Sequence, residues 1–599
     1  MLPSIQDALV AAKQGDLAGA CALLDQSVGD ETDPKALFQA ALCYRASERL
    51  NDALRLLKVL EDRGQTQPPA VLLRADIFCS LDRQHHAMPL YRALAEIEDA
   101  AMQHAAASGL FQCGDVDKAL LMAESLSRST DEKLASQAKL LQGRCLAARE
   151  DYPGAADALS SIAQPPSAKR AAEFRLARLA LHQGHFTDAT SRLKALAAAA
   201  NDELALPGIQ EALLQTCIHS GETDAALELI DADPTPTDIH WLRHATELLC
   251  ELGKPDPLRL LLTRWETSPD PILFRELLNR YLSLGEVAQA QDLVSEYAAV
   301  YSEDVHWRWG HLHCLAESGN HEEVLKHQIT GPDSALEIIC QAHFALGHYS
   351  EALTVAQQLC RTAPGDQYFL ALLVTALRCL NDERFRALTD LENLVFEKRL
   401  SGLNADTETK SAHWDSLAQA LVQHHHMRSA PPTQSVENGL QTPGNLLNQT
   451  SDTALIALRD AINTEANAFF QSAPLEKLAE AHPLRLFRPK KPMMHASWAI
   501  LGTSSTFHRA HVHTKGWYSG TLYAEVPSSV SADVDAGHLV LGEPPFKVKD
   551  ALPPLASMTP ETGKLVLFPS YLWHGTRPFS GEGRRQVVAF DFGEPNRFV

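Results

Sequence analysis

The sequence predicts a multidomain chain: an α-solenoid of paired helices, then a double-stranded β-helix (jelly-roll) domain with helices packed at its start. Three observations carry this expectation. A short phrase returns at a near-constant interval through the first two-thirds of the chain. From Pro483 the text changes to short β-rich runs divided by Gly, Pro and Ser. The 599 residues, 45% apolar and 21% charged, also exceed what one compact core holds while remaining typical of globular protein.

The returning phrase is a turn residue, a few polar or aromatic residues, and an alanine opening a helix. It reads "GDLAGA" (Gly15 to Ala20), "GDVDKA" (Gly114 to Ala119), "GHFTDA" (Gly184 to Ala189), "GETDAA" (Gly221 to Ala226), "GEVAQA" (Gly285 to Ala290) and "GHYSEA" (Gly347 to Ala352). Weaker copies close at Ala53, Ala87, Ala155, Leu258 and Val324. From 20 to 352 there are ten steps, a mean spacing of about 33 residues. Glycine lets one helix stop in a left-handed conformation, and alanine lets two helices approach closely. Each pair then has an apolar face that only its neighbours cover, so the pairs stack. The period and the helix–turn–helix unit resemble tetratricopeptide arrays, with many of the consensus aromatic positions replaced. Such a solenoid is expected over 1–390 and implies a protein or peptide partner.

The net charge of -22 argues against broad binding to nucleic acid or an anionic membrane surface. The opening "MLPSIQDALVAAKQGDLAGA" has no basic run and no unbroken apolar stretch, so neither a signal peptide nor a spanning helix is expected. Eleven cysteines are scattered singly without a CxxC pair. Reduced, mostly buried thiols in a cytoplasmic protein are the expectation.

After residue 390 the repeat fades, and 391–450 reads as a helix and linker leading into a second domain over 451–599. His424, His425 and His426 are consecutive, and consecutive helical positions point in different directions, which disfavours shared coordination. The β-rich runs that follow, such as "GWYSGTLYAEVP", "AGHLVLGEPP", "GKLVLFPS" and "RRQVVAFDFG", suit an antiparallel double sheet.

The chemistry is written in that second domain. His511 and His513 stand two apart in β-like text, so both are expected on one sheet face. His574 follows in "FPSYLWHGTRPF", and Arg585 opens a strand eleven residues later. Imidazole suits iron, zinc, copper and nickel alike, and three such ligands leave positions open for other molecules. His508 and His538 read as ordinary surface or core histidines. Trp517, Trp573 and Phe568 read as core or pocket wall, and Asp591 as a polar residue at a strand end.

The phrases "TQSVENGLQTPGNLL", "HVHTKGWYSGTLYAEVP", "GHLVLGEPP" and "GKLVLFPSYLWHGTRPFSGEGRRQVVAFDF" together resemble bacterial Fe(II)/2-oxoglutarate oxygenases, which are often fused to tetratricopeptide repeats. The resemblance runs from about Ser401 to Val599. It implies a dioxygenase, a hydroxylase using Fe(II), with 2-oxoglutarate and O2 as co-substrates. It places the metal ligands on His511 and His574, and a basic partner for the distal carboxylate of 2-oxoglutarate on Arg585. Arg584 is the alternative if the register slips by one, and Tyr523 is a further hydrogen-bond donor to that carboxylate. The sequence departs from the His-x-Asp/Glu…His pattern at His513. This residue either ligates as a third imidazole or stands behind the ligands. Two other readings remain open at this point: a scaffold whose cupin-like domain no longer catalyses, and a metal-binding cupin working without 2-oxoglutarate.

Overall fold

The computed structural model describes residues 5–594 except 15, 30–31, 48, 82, 200–207, 233–235, 237, 303–304, 328–334, 401–408, 426–433 and 532–534. Gly15 and His426 therefore lie outside the described residues. The chain divides into two compact units, Met1–Leu176 and Ala177–Pro595. The expected boundary at 390 is thus not where compactness divides the chain; the later repeats share a unit with the β domain.

The first unit consists of helical hairpins. Leu50–Asp62, Gln84–Ala95, Val116–Leu126 and Tyr152–Ser160 are second helices of successive pairs. The recurrent alanines do not open these helices, as the sequence suggested. Ala53, Ala87, Ala119 and Ala155 are each the fourth residue, one turn in, and each has no exposed surface. A methyl side chain there lets the partner helix approach where a larger group would clash. First helices start on aspartate caps: Asp33, Asp99 and Asp131 accept hydrogen bonds from backbone N–H groups of the following turn. Each such cap contributes about 1 kcal/mol, so part of the acidic composition serves the helix ends.

The second unit continues the pattern. Ala189, Ala226, Ala290, Val324 and Ala352 occupy the same fourth position with no exposed surface. Leu258 departs from it and precedes the helix Arg259–Thr267. Gly221 and Gly347 end Ile209–Ser220 and Leu336–Leu346 at φ 76° and 81°, a conformation that glycine reaches without penalty.

Among the described residues nine strands form one curled antiparallel sheet: β1 Phe396–Arg399, β2 Val436–Gln441, β3 Met493–His511, β4 Tyr518–Glu525, β5 Leu539–Leu541, β6 Ala556–Met558, β7 Lys564–Pro569, β8 His574–Thr576 and β9 Arg585–Gly593. Their order is β1-β7-β4-β9-β3-β8-β5-β6, with β2 paired to β3. The 19-residue β3 joins two halves. Its first part pairs with β9 (Ala499 opposite Val588), its last part with β8 (His511 opposite His574). The jelly-roll expectation is met. The segment 391–450 is not merely helix and linker, because it supplies β1 and β2. The helix Thr453–Phe470 packs Leu458, Ile462 and Phe470 against Trp517, Leu522, Leu567, Phe590 and Phe592 on the outer face of the first half. The inner face is thereby left for a cavity.

First helices of the later repeats meet the β domain directly. Trp573 Nε1 donates to Thr375 Oγ1 at 2.9 Å, and Tyr368 packs edge-on against the same indole. Phe344 stacks on Phe546, and Arg378 donates to the Gly542 carbonyl. In this unit the repeat helices therefore serve the chain's own β domain, a role the sequence reading had left to an outside partner. No helix among the described residues is long and apolar enough to cross a membrane. All eleven cysteines are free thiols, most of them buried.

Candidate metal centre

His511 and His574 face one another across the β3–β8 pair, with ring centroids 4.3 Å apart. Contrary to the expectation from sequence, His513 does not share a strand with His511; β3 ends at His511, and His513 lies in the connection before β4. It nevertheless comes to the same place. The three residues offer ligand atoms within 4.8 Å of one another, the one such group among the described residues. His424 and His425 join no cluster of this kind.

The hydrogen bonds set the tautomers. His511 Nδ1 donates to the Arg509 carbonyl and His574 Nδ1 to the Leu572 carbonyl, both at 2.9 Å. A carbonyl only accepts, so the proton sits on Nδ1 and the Nε2 lone pair of each ring is left for a ligand role. His513 Nδ1 donates to Asp591 Oδ1 at 2.5 Å. Burial, with the neighbouring His513 ring adding to it, pulls His511 down to about 3. His574 is held well below its ordinary value for the same reasons. Both rings stay neutral at physiological pH.

This donor set fits a divalent metal. His511 Nε2 and His513 Nε2 face each other at 3.0 Å. Two metal–nitrogen bonds of about 2.1 Å meeting near a right angle place their nitrogens about 3.0 Å apart. The same separation serves a hydrogen bond between the two rings or a metal ion held by both. His508 stacks beside His511 at 6.2 Å and shares the Ser435 hydroxyl with it, outside the triad. His538 bonds Ser557 and lies elsewhere.

The triad stands in a cavity of about 1010 Å3. Along β9 the alternation is plain. Arg585, Val587, Ala589 and Asp591 line the cavity, while Val588, Phe590 and Phe592 enter the core behind it. Arg585 is 2% exposed; its guanidinium donates to the Gly537 carbonyl and Thr576 Oγ1 and lies 5.0 Å over Phe579. Burial lowers its pKa, opposed by Tyr523. Tyr523 also lines the cavity, with its hydroxyl pushed up to about 12 by burial. Arg584 points away from this wall and pairs with Glu525 at 2.6 Å. Phe568 lines the cavity against His574; Trp517 lies in the core, and Trp573 against the repeat helices.

Two features were not anticipated. Asp591, read as a strand-end polar residue, is 5% exposed and bonded to His513, and Ser519 donates to it at 2.7 Å. Carrying the period of two along β9 from Arg585 would have placed it on the cavity face. The other is the cavity's far wall, made by His219, His244, Glu247 and Glu251 on the repeat helices Ile209–Ser220 and Ile239–Glu251.

Glu251 is 7% exposed, and burial, with Glu247 adding to it against Arg280, pushes its carboxyl up to about 8. An unfolded glutamate titrates near 4.3. Between about 4.3 and 8 the folded chain therefore holds a proton the unfolded chain gives up. Its contribution to stability is full below that window and is lost as pH rises through it. Glu251→Gln should raise the thermal midpoint by about 2–4 °C at pH 8 and flatten its decline from pH 5. Calorimetry of both proteins across that range checks this, and parallel profiles would contradict it.

Residues 496–591 match a family model described as "Putative 2OG-Fe(II) oxygenase", and residues 104–169 match a tetratricopeptide repeat model. No curated protein matches the sequence. Among solved structures, a Pseudomonas putida prolyl-4-hydroxylase is similar at 14% identity and TM-score 0.23, covering 35% of this chain and 98% of that one. HygX from Streptomyces hygroscopicus, with nickel and 2-oxoglutarate bound, is similar at 13% identity and TM-score 0.24, covering 35% and 86%. The APC/C hetero-tetramer Cut9-Hcn1 is similar at 16% identity and TM-score 0.29, covering 63% and 76%.

Proposed function

With residues 496–591 forming a 2OG-Fe(II) oxygenase domain, we propose that the chain hydroxylates a protein, peptide or small molecule in the cavity between its β domain and its repeat helices. His511, His513 and His574 hold Fe(II), and Arg585 and Tyr523 take the distal carboxylate of 2-oxoglutarate. The observation that carries this reading is the convergence of three imidazoles on a cavity whose same wall bears a buried guanidinium. Iron(II) with 2-oxoglutarate and O2 supplies oxidative decarboxylation to succinate and CO2, coupled to oxygen insertion into a C–H bond.

The chain's own residues bind, orient and exclude water. The carbonyls of Arg509 and Leu572 hold His511 and His574 in one tautomer, so neither ring must reorganise to present Nε2. Arg585 offers a planar pair of N–H groups that matches a carboxylate, with a charge that survives burial at neutral pH. Trp498, Ile500, Phe568, Val587 and Ala589 keep the intervening wall largely apolar. The histidines and carboxyls of the repeat wall face any substrate placed over the metal. Protein recruitment is the role we assign to the repeat surface that does not pack on the β domain.

The test is anaerobic titration of the full chain with Fe(II) and 2-oxoglutarate, followed by oxygen. A metal-to-ligand absorption band and succinate release are expected. Metal binding with neither band nor succinate would leave a non-catalytic metal scaffold instead.

A further inference from the structure

Imidazole ligands bring no negative charge to a divalent ion, and a buried ion without a compensating anion is unfavourable. An anion adjoins the triad in Asp591. Two contacts meet on it: His513 Nδ1 donates to its Oδ1 at 2.5 Å, and Ser519 Oγ, itself 3.0 Å from His513 Nδ1, donates to the same oxygen at 2.7 Å. Ser570 Oγ lies 2.9 Å from Ser519 Oγ and completes the chain. Asp591 is opposite Ser519 in the β4–β9 register, so the sheet itself fixes this geometry. The backbone carbonyls behind His511 and His574 carry no net charge; the partner of His513 does.

Building on the metal reading above, we propose that Asp591 is the positioning carboxylate of this centre. It keeps the His513 proton on Nδ1, turns Nε2 toward His511 and His574, and supplies from behind the ring the negative charge missing at position 513. A carboxylate that only accepts permits one His513 tautomer. An asparagine can present its NH2 group instead, which places the ring proton on Nε2 and closes that ligand position.

The test uses apo full-length protein titrated with Co(II), reading both affinity and the visible absorption bands. Wild type, Asp591→Asn, His513→Ala and the double variant are compared, with thermal midpoints as a folding control. Loss of an outer carboxylate partner weakens metal binding by about 10–100-fold, so that range is expected for Asp591→Asn, with altered Co(II) bands. On the His513→Ala background the same change should shift affinity less than about twofold. An unchanged affinity and spectrum in Asp591→Asn would overturn the proposal, as would an equal loss on both backgrounds. Should Asp591→Asn not fold, Ser519→Ala keeps the Asp591 carboxylate on His513 and removes the hydroxyl that contacts Asp591, Ser570 and His513 Nδ1. A several-fold loss dependent on His513 is then expected, and no change counts against the proposal. The outcomes separate from those of the function itself: Co(II) binding tuned by Asp591 without succinate formation would overturn the hydroxylase and leave this inference standing.

Discussion

His574→Ala is expected to raise the dissociation constant for Fe(II) or Co(II) by more than about 100-fold and to abolish succinate formation. The loss should exceed the ~10–100-fold typical of an outer partner, because the change removes a ligand atom itself. No other histidine among the described residues joins the group. His508 stands nearest, but its Nδ1 is engaged by Ser435 and its ring stacks beside His511 rather than facing the other two. The variant should still fold. His574 packs on Phe568 at 4.7 Å, and the neighbouring Trp573 keeps its anchor on the repeat helices. Truncation of a buried ring of this kind removes about 2–4 kcal/mol. His538→Ala is the control, since His538 bonds Ser557 and takes no part in the triad. Direct titration of the three proteins decides the matter, and near-native metal affinity in His574→Ala would remove the triad as the metal site.

How much of this could be read without coordinates depends on the range of the interaction concerned. The repeat was legible because each helix pair is local: a turn glycine and a small residue about one helical turn later recur every 33 or so positions. What the period left open is which face of the stack meets what. That is decided by contacts such as Trp573 with Thr375, nearly two hundred residues apart. The division near residue 176, the entry of Phe396–Arg399 into the sheet, and the repeat-helix wall of the cavity all fall in this class. β1 was invisible for a further reason. Its "FEKR" is an edge strand with three exposed polar residues in four, which is how proteins blunt an edge and also how a strand loses its apolar alternation.

The site divides the same way. His511 and His574 were marked by residue type and by the flanking phrases, but their opposition follows from inter-strand register, which no local pattern encodes. His513 joins the other two rings for a different reason from the one expected, since the turn after β3, not strand alternation, carries it there. Asp591 was within reach of sequence reasoning. The alternation Arg585, Val587, Ala589, Asp591 against Val588, Phe590, Phe592 is a clean period of two, and an acid on the arginine's face of a buried strand needs a cationic or hydrogen-bonding partner.

Arg585→Ala should weaken 2-oxoglutarate binding to the metal-loaded protein by about 30–1000-fold, as expected where truncation removes one member of a buried, hydrogen-bonded charge pair. Metal affinity should be unaffected, because Arg585 lies three alternating positions along β9 from the residue that contacts His513. Lysine should not rescue it: a single ammonium cannot reproduce two parallel N–H bonds to a carboxylate. The register question is settled by the neighbouring residue. Arg584 already pairs with Glu525 on the other side of the sheet, so Arg584→Ala should change 2-oxoglutarate affinity less than about twofold, as expected for a partly exposed ion pair. Titration of 2-oxoglutarate into the Co(II) form of each variant reads these effects directly. Equal effects at 584 and 585, or no effect at 585, would place the co-substrate's carboxylate elsewhere and revive a metal centre that works without 2-oxoglutarate. Tyr523→Phe then measures the hydroxyl's share. Burial raises its pKa against the opposing charge of Arg585, so the hydroxyl stays protonated, and a loss of about 10–100-fold is expected from one hydrogen bond to a carboxylate.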